Sequence, residues 1–292
     1  MFIEKLLREI KQKKSPCVVG LDPTLEMMPD KLKRKFLVKG DEKEIAQMFW
    51  QFNKEIIDYT AELTPCIKVQ IAFYERFSLP GLEVFYKTLD YGKEKGLMTI
   101  ADVKRGDIGS TAKAYAQGFL KNPSIDSITV NPYFGSDGLL PFVEETKGGE
   151  KGLFILVKTS NPSSKELQDL ITEDGQFFYE KVADLVSSFE GDFSEFSHIG
   201  SVVGGTHKEH LKRLRKKLKG FILVPGYGAQ GGKAEDIKYA FNTDGFGALV
   251  CSSRGITEYY KKIGEENYGL AAQISLKNMI ADINREIEKG VE

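Results

Sequence analysis

The stretch Met98–Thr111, MTIADVKRGDIGST, sets four ionisable side chains, Asp102, Lys104, Arg105 and Asp107, directly behind an apolar run. Met98, Thr99, Ile100, Ala101 and Val103 predict a buried strand that begins after Gly96 and ends near Gly106, with Thr111 opening the next helix. Side chains two apart on a strand share a face, so Asp102 and Lys104 are expected to project the same way and reach one ligand together. Asp107 falls in the turn and is aimed by the loop, toward this site or a neighbour's. A buried Asp–Lys ion pair beside an exposed loop aspartate is the plain structural explanation. A lone buried ion pair gains little over an apolar pair of equal volume, which tilts the reading toward chemistry or a ligand and leaves the rest of the chain to decide.

Working outward, strands and helices alternate. Phe2, Ile3, Leu6, Leu7 and Ile10 have helical spacing, followed by a strand at CVVGL (17–21) that Asp22-Pro23 stops. A polar, lysine-rich segment, 24–41, leads to a helix carrying Ile45, Met48, Phe49, Phe52 and Ile56, then a strand at CIKVQ (66–70) and a helix over 82–95. Beyond the central stretch come a helix over 112–119, a strand SITVNPY (127–133), a helix over 138–145 and a strand GLFILVKTS (152–160). The segment 161–175 is long for such a connection and reads equally as a mobile lid or as a solvated insertion. A helix with Phe177, Phe178, Val182, Leu185, Val186 and Phe189 precedes the strand IGSVVGG (199–205). The basic helix 208–219 keeps Leu211, Leu214 and Leu218 on one stripe, so its lysines and arginines are expected on a solvated face, with a nucleic-acid patch as the minor alternative. FILVP (221–225) and GALVC (247–251) are the last strands, and the final helix covers about 265–289.

Eight short apolar strands, each followed by a helix, imply a parallel sheet covered on both faces, and eight is the number that closes a barrel. A doubly wound open sheet is the competitor, but GLDPTLEMMP after the first strand lacks the glycine pattern of a dinucleotide fold. The expectation is one (β/α)8 barrel domain, a TIM barrel, over residues 1–292 with an extra N-terminal helix.

Composition narrows the function. Over 292 residues the net charge is only -1, which argues against a general nucleic-acid binder. No apolar stretch approaches the roughly 20 residues of a membrane span, and the N-terminus has no cleavage-site pattern, so a cytoplasmic protein is expected. Cys17, Cys66 and Cys251 lie far apart in apolar runs and read as buried thiols. His198, His207 and His210 share one segment, and the HxxH they contain is weak as a metal motif; surface histidines are the better reading.

In a barrel the site lies at the C-terminal ends of the strands. There the sequence gathers Asp22, Lys68, Asp102, Lys104 and Ser160, then the glycine-rich run 226–232 after the seventh strand and Ser252-Ser253-Arg254-Gly255 after the eighth. Glycines that expose backbone N–H groups, with an arginine beside them, suit a phosphorylated ligand.

These residues resemble the orotidine 5'-phosphate decarboxylase family. Asp102-Val-Lys104-Arg-Gly-Asp107-Ile108 with Thr111 has the DxKxxDI spacing, and Gly20-Leu-Asp22-Pro, Ile67-Lys68-Val69, Ser160-Asn161-Pro162, 225–232 and Arg254 follow in order, over nearly the whole chain. NPYFGSDG and TSNPSS resemble the longer bacterial subfamily; 24–41 and 161–175 are insertions relative to the compact members. The resemblance implies decarboxylation of orotidine 5'-phosphate to UMP, with Lys104 as proton donor beside Asp102, Lys68 completing the charge network, and no metal or organic cofactor. It implies that Asp107, from the second subunit of a homodimer, joins this catalytic group, that Asp22 and Lys68 hold the ribose with Asp107 and Thr111 of that second subunit, and that Ile108 also binds substrate. Ser160 would bond the pyrimidine, and Gly228, Gln230 and Arg254 the phosphate. Two rivals remain at this stage: a magnesium-dependent 3-keto-6-phosphogluconate decarboxylase or hexulose-phosphate synthase of the same barrel group, and a non-catalytic nucleotide sensor.

Overall fold

The strands are built from runs whose residues are apolar on both faces, which only a sheet covered on both sides can bury. A computed structural model describes residues 1–191, 196–206, 208–228 and 231–290. Its strands are β1 (Cys17–Leu21), β2 (Cys66–Gln70), β3 (Met98–Arg105), β4 (Ser127–Val130), β5 (Gly152–Lys158), β6 (Ile199–Val203), β7 (Ile222–Pro225) and β8 (Ala248–Ser252). They pair in parallel in chain order, and β8 closes on β1 through Cys17↔Val250 and Val18↔Cys251. This is the expected TIM barrel with its additional N-terminal helix.

Strand alternation divides the core in two. Val19, Ile67, Val69, Ala101, Ile128, Ile155, Val203 and Val224 face outward and pack under the helices. Val18, Cys66, Met98, Ile100, Phe154, Val202, Leu223 and Leu249 fill the interior. The helix Phe2–Lys13 stops the N-terminal mouth, adding Phe2, Leu6, Leu7 and Ile10 to that interior cluster. Phe2 donates its N–H to the Gly149 carbonyl at 2.7 Å and packs edge-on to Phe154. Residue 152 must be glycine there, because a Cβ would sit 2.4 Å from the Phe2 ring. The plug leaves only the other mouth open to a ligand.

Three sequence expectations change in detail. The polar segment 24–41 contains a helix, Asp30–Phe36, and the segment 161–175 is folded, with a 3-10 turn at Pro162–Ser164 and a helical turn at Lys165–Gln168. Arg215, expected on the solvated face of the basic helix, instead turns inward and donates to the carbonyls of Leu218, Gly220, Ala240 and Gly247. Those carbonyls lie in the segments that lead into β7 and β8, where a guanidinium with several donors can reach them together. His198 is half-buried before β6, His210 packs against Tyr179, and His207 lies outside the described residues. All three cysteines are free and buried, and burial pushes the Cys251 thiol up to about 12. No helix among the described residues is long and apolar enough to cross a membrane.

Replacing Leu6, which is fully buried in the plug, by alanine should lower the unfolding free energy by about 2–5 kcal/mol in urea denaturation, with ligand affinity at the opposite mouth unchanged. A loss below about 1 kcal/mol would show that the plug is not part of the core.

Candidate active site

The C-terminal mouth holds a cavity of about 450 Å³ to which all eight strands or their following loops contribute. Leu156, Val202, Leu223 and Cys251 form an apolar floor. Asp22, Lys68, Asp102, Lys104 and Thr129 line one wall, and Thr159, Ser160, Gly226, Tyr227 and Ser252–Arg254 continue the rim.

The charged wall alternates in sign. Lys68 Nζ donates to Asp102 Oδ2 at 2.8 Å and stands 3.7 Å from Asp22 Oδ1, while Lys104 Nζ donates to Asp102 Oδ1 at 2.6 Å. Burial alone would raise the Asp102 carboxyl, but the two ammoniums beside it win and hold it well below the usual range. Burial likewise opposes the charge on Lys68, and Asp102 and Asp22 overcome it, so its pKa rises well above the ordinary lysine value. The side chains of Lys68 and Asp102 are 8% and 7% exposed, that of Lys104 43%, so Lys104 is the more open of the two ammoniums that line the cavity.

Strand alternation sets Asp102 and Lys104 on the cavity side, with Ala101 and Val103 packed outward under the helices. The β3–β4 pairing jumps from Ala101↔Ile128 to Arg105↔Val130, so three residues of β3 bulge opposite Thr129 alone. Lys104 takes φ 44°, the left-handed region that side chains rarely adopt. The shared face expected from period-two spacing is kept through this bulge, with the Lys104 ammonium lying on the Asp102 carboxylate.

Ser160 lines the cavity, and its backbone approaches β6 so closely that a Cβ at Gly204 would lie 2.9 Å from it. Arg254 stands exposed at the rim. The glycine-rich turn has Gly226, Gly228 and Gly231 at positive φ; the Gly228 N–H is taken by the Gly232 carbonyl at 2.9 Å. Gln230 lies outside the described residues. Asp107, Ile108 and Thr111 do not line the cavity of this chain: Ile108 and Thr111 are exposed, and Asp107 accepts from the Ile108 N–H. Among the described residues no group of three or more His, Cys, Asp or Glu side chains is placed to hold a metal ion.

Residues 15–264 match the family described as orotidine 5'-phosphate decarboxylase / HUMPS. The chain belongs to that family. It is 39% identical to the orotidine 5'-phosphate decarboxylase of Caldicellulosiruptor saccharolyticus, over 98% of this chain and 99% of the relative. It is 42% identical to that of Clostridium botulinum, over 96% and 98%. Among solved structures, a candidate orotidine monophosphate decarboxylase of Toxoplasma gondii superimposes with TM-score 0.81 at 32% identity, over 98% of both chains. The Leishmania donovani OMP decarboxylase does so with TM-score 0.76 at 29% identity, over 98% and 99%.

Sequence reasoning missed two polar groups, Thr129 and Lys158, and placed Ser253 only as part of the run 252–255. Thr129 is buried within SITV and donates to Asp102 Oδ1 at 2.8 Å; a threonine in a β-rich run gave no reason to single it out. Ser253 Oγ is buried at the rim and, like Asp22 Oδ1, has no hydrogen-bond partner among the described residues. Lys158, 3% exposed, pairs with Asp169 at 2.6 Å, and the Thr159 N–H donates to Gln168, so the 161–175 segment is clasped to the end of β5 beside Ser160.

Asp102→Asn should cost about 3–5 kcal/mol in urea unfolding at neutral pH, because it leaves two ammoniums without their shared counter-ion. The sign with pH follows from the lowered carboxyl. Its contribution is present above the ordinary aspartate value of about 3.9 and disappears as pH falls toward the depressed folded value, so the variant should lose this acid-side dependence. Lys68 works in the opposite sense, its contribution fading only as pH rises past about 10.4. A change under about 1 kcal/mol in the variant would contradict the coupling.

Proposed function

We propose that the chain decarboxylates orotidine 5'-phosphate to UMP and CO2 in pyrimidine biosynthesis, without metal or organic cofactor, with Lys104 as proton donor to C6. The observation that carries this reading is the Lys68–Asp102–Lys104 array on the wall of the cavity, its exposed member an ammonium. When the C6–carboxylate bond breaks, the electron pair stays in the ring plane, where the π system cannot spread it. An ammonium at contact distance stabilises that charge by about 4 kcal/mol at an effective dielectric of 20 and supplies the proton that ends as the C6–H of UMP. Lys104 is left neutral and regains its proton from solvent. Enzymes lower barriers by roughly 8–23 kcal/mol, so one lysine is insufficient and binding energy from the rest of the nucleotide must be used.

The remaining roles follow the cavity wall. Asp22, whose buried Oδ1 has no hydrogen-bond partner among the described residues, and Lys68 suit the ribose hydroxyls. Ser160 suits the pyrimidine edge, and Arg254 with the glycine-rich turn, Gly228 and Gln230 included, suits the phosphate. Asp107, Ile108 and Thr111 are assigned to a second copy's site in a homodimer. Support comes from the surface around them: Ile108, Tyr133 and Phe134 are exposed apolar side chains, and Phe134 packs beside Gly106 and Gly138 next to Asp107. An apolar group of this kind, surrounding a loop carboxylate that makes no contact with its own cavity, suits a subunit interface.

Loss of orotidine 5'-phosphate, followed by ultraviolet absorbance with and without EDTA, tests the reaction itself. Undiminished turnover in chelator is expected; activity abolished by EDTA would favour the magnesium-dependent reaction of the hexulose-phosphate group, and UMP binding without turnover a sensor. Lys104→Ala should cut kcat by roughly 10³-fold or more while UMP affinity is kept, and near-normal kcat would remove its assigned role. Arg254→Ala should chiefly raise KM; an unchanged KM would tell against phosphate contact. Inactive Lys104→Ala and Asp107→Ala chains should regain partial activity when mixed, and no recovery would favour a site built within one chain.

A further inference from the structure

Thr129 is the residue of β4 that faces the whole β3 bulge, since Ala101 pairs with Ile128 and pairing resumes only at Arg105↔Val130. The bulge takes the Lys104 N–H out of the ladder, and that N–H donates to Thr129 Oγ1 at 2.9 Å. The same hydroxyl donates its one proton to Asp102 Oδ1 at 2.8 Å, on the oxygen that also receives Lys104 Nζ at 2.6 Å. Thr129 is 1% exposed, so water does not compete for either bond.

A hydroxyl has one proton to give, and here it is spent on the carboxylate, which leaves the oxygen's lone pairs to the backbone N–H. One atom therefore fixes two things at once: the left-handed backbone, φ 44°, from which the Lys104 side chain springs, and the rotation of the carboxylate on which its ammonium rests. A non-glycine residue keeps such a backbone only where its surroundings over-determine it. We infer that Thr129 is a positioning residue for proton delivery, holding Lys104 and Asp102 in register through a single shared hydroxyl. The inference deepens the proposed reaction and rests on Lys104 being the donor.

The test compares kcat and KM for orotidine 5'-phosphate, and UMP affinity by calorimetry, in the parent chain, Thr129→Val, Thr129→Ser and Lys104→Ala. Valine keeps the shape and loses the hydroxyl; serine keeps the hydroxyl and loses the methyl. Thr129→Val should lose about 10²-fold in kcat, the scale of an ångström of misplacement, with KM and UMP affinity within about threefold of the parent. Thr129→Ser should stay within about fivefold of the parent in kcat. Should the valine chain fail to fold, Thr129→Ala removes the same hydroxyl without adding a methyl against Asp102 and reads the same loss. A hydroxyl-less variant with kcat near the parent's, or a serine variant as slow as the valine one, would overturn the positioning role while an inactive Lys104→Ala leaves the donor assignment standing. Near-normal turnover in Lys104→Ala would overturn both.

Discussion

The Asp102 carboxylate, buried between two ammoniums, is the constraint on which the rest of the site depends. Lys68 could not keep its charge inside the barrel without it, and Lys104 could not lie over the cavity without an oxygen to rest on. Lys68 is not neutralised cheaply, because Asp102 and Asp22 beside it hold its charge inside the barrel. A site that must present a proton to a carbanion gains from this arrangement. The electrostatic work is done when the protein folds, so little reorganisation is left for the reacting state.

Charge elsewhere in the barrel shows what a structural role looks like by contrast. Asp126, at the N-terminal end of β4, is closed off by Lys93 at 2.8 Å and the Thr99 N–H at 2.8 Å. Glu190 accepts from the N–H groups of Lys219 and Gly220, and Arg215 collects carbonyls beneath β7 and β8. None of these charges lines the cavity at the C-terminal mouth. At the opposite mouth Asp22 Oδ1 and Ser253 Oγ are buried without a hydrogen-bond partner among the described residues, and the Lys104 side chain is partly open to the cavity. A charged wall that faces a cavity, rather than charge itself, separates the functional mouth from the structural one.

Much of this was legible in the sequence, for physical reasons. Strands buried on both faces are continuous apolar runs, so β1 and β2 could be read to the residue, and the charges that interrupt or end such runs marked Asp22, Lys68, Asp102 and Lys104. What escaped depended on geometry that period-two alternation cannot express. The β3 bulge promotes Thr129 from an ordinary strand residue to a partner of both Asp102 and Lys104. Arg215 was unreadable for a similar reason: its helix pattern is amphipathic, but the carbonyls that draw it inward belong to loops distant in sequence. The segment 161–175 was left open between lid and insertion because its anchors, Lys158 with Asp169 and Thr159 with Gln168, are polar pairs without periodicity.

The central claim is that the group at position 104 delivers a proton and does more than supply positive charge. The most direct measurement is chemical rescue: turnover of orotidine 5'-phosphate by Lys104→Ala as methylammonium is added, against tetramethylammonium at the same ionic strength. The account predicts that the rate climbs with methylammonium and stays flat with tetramethylammonium, which carries the charge and has no proton to give. Equal acceleration by both cations, or substantial turnover before either is added, would contradict it.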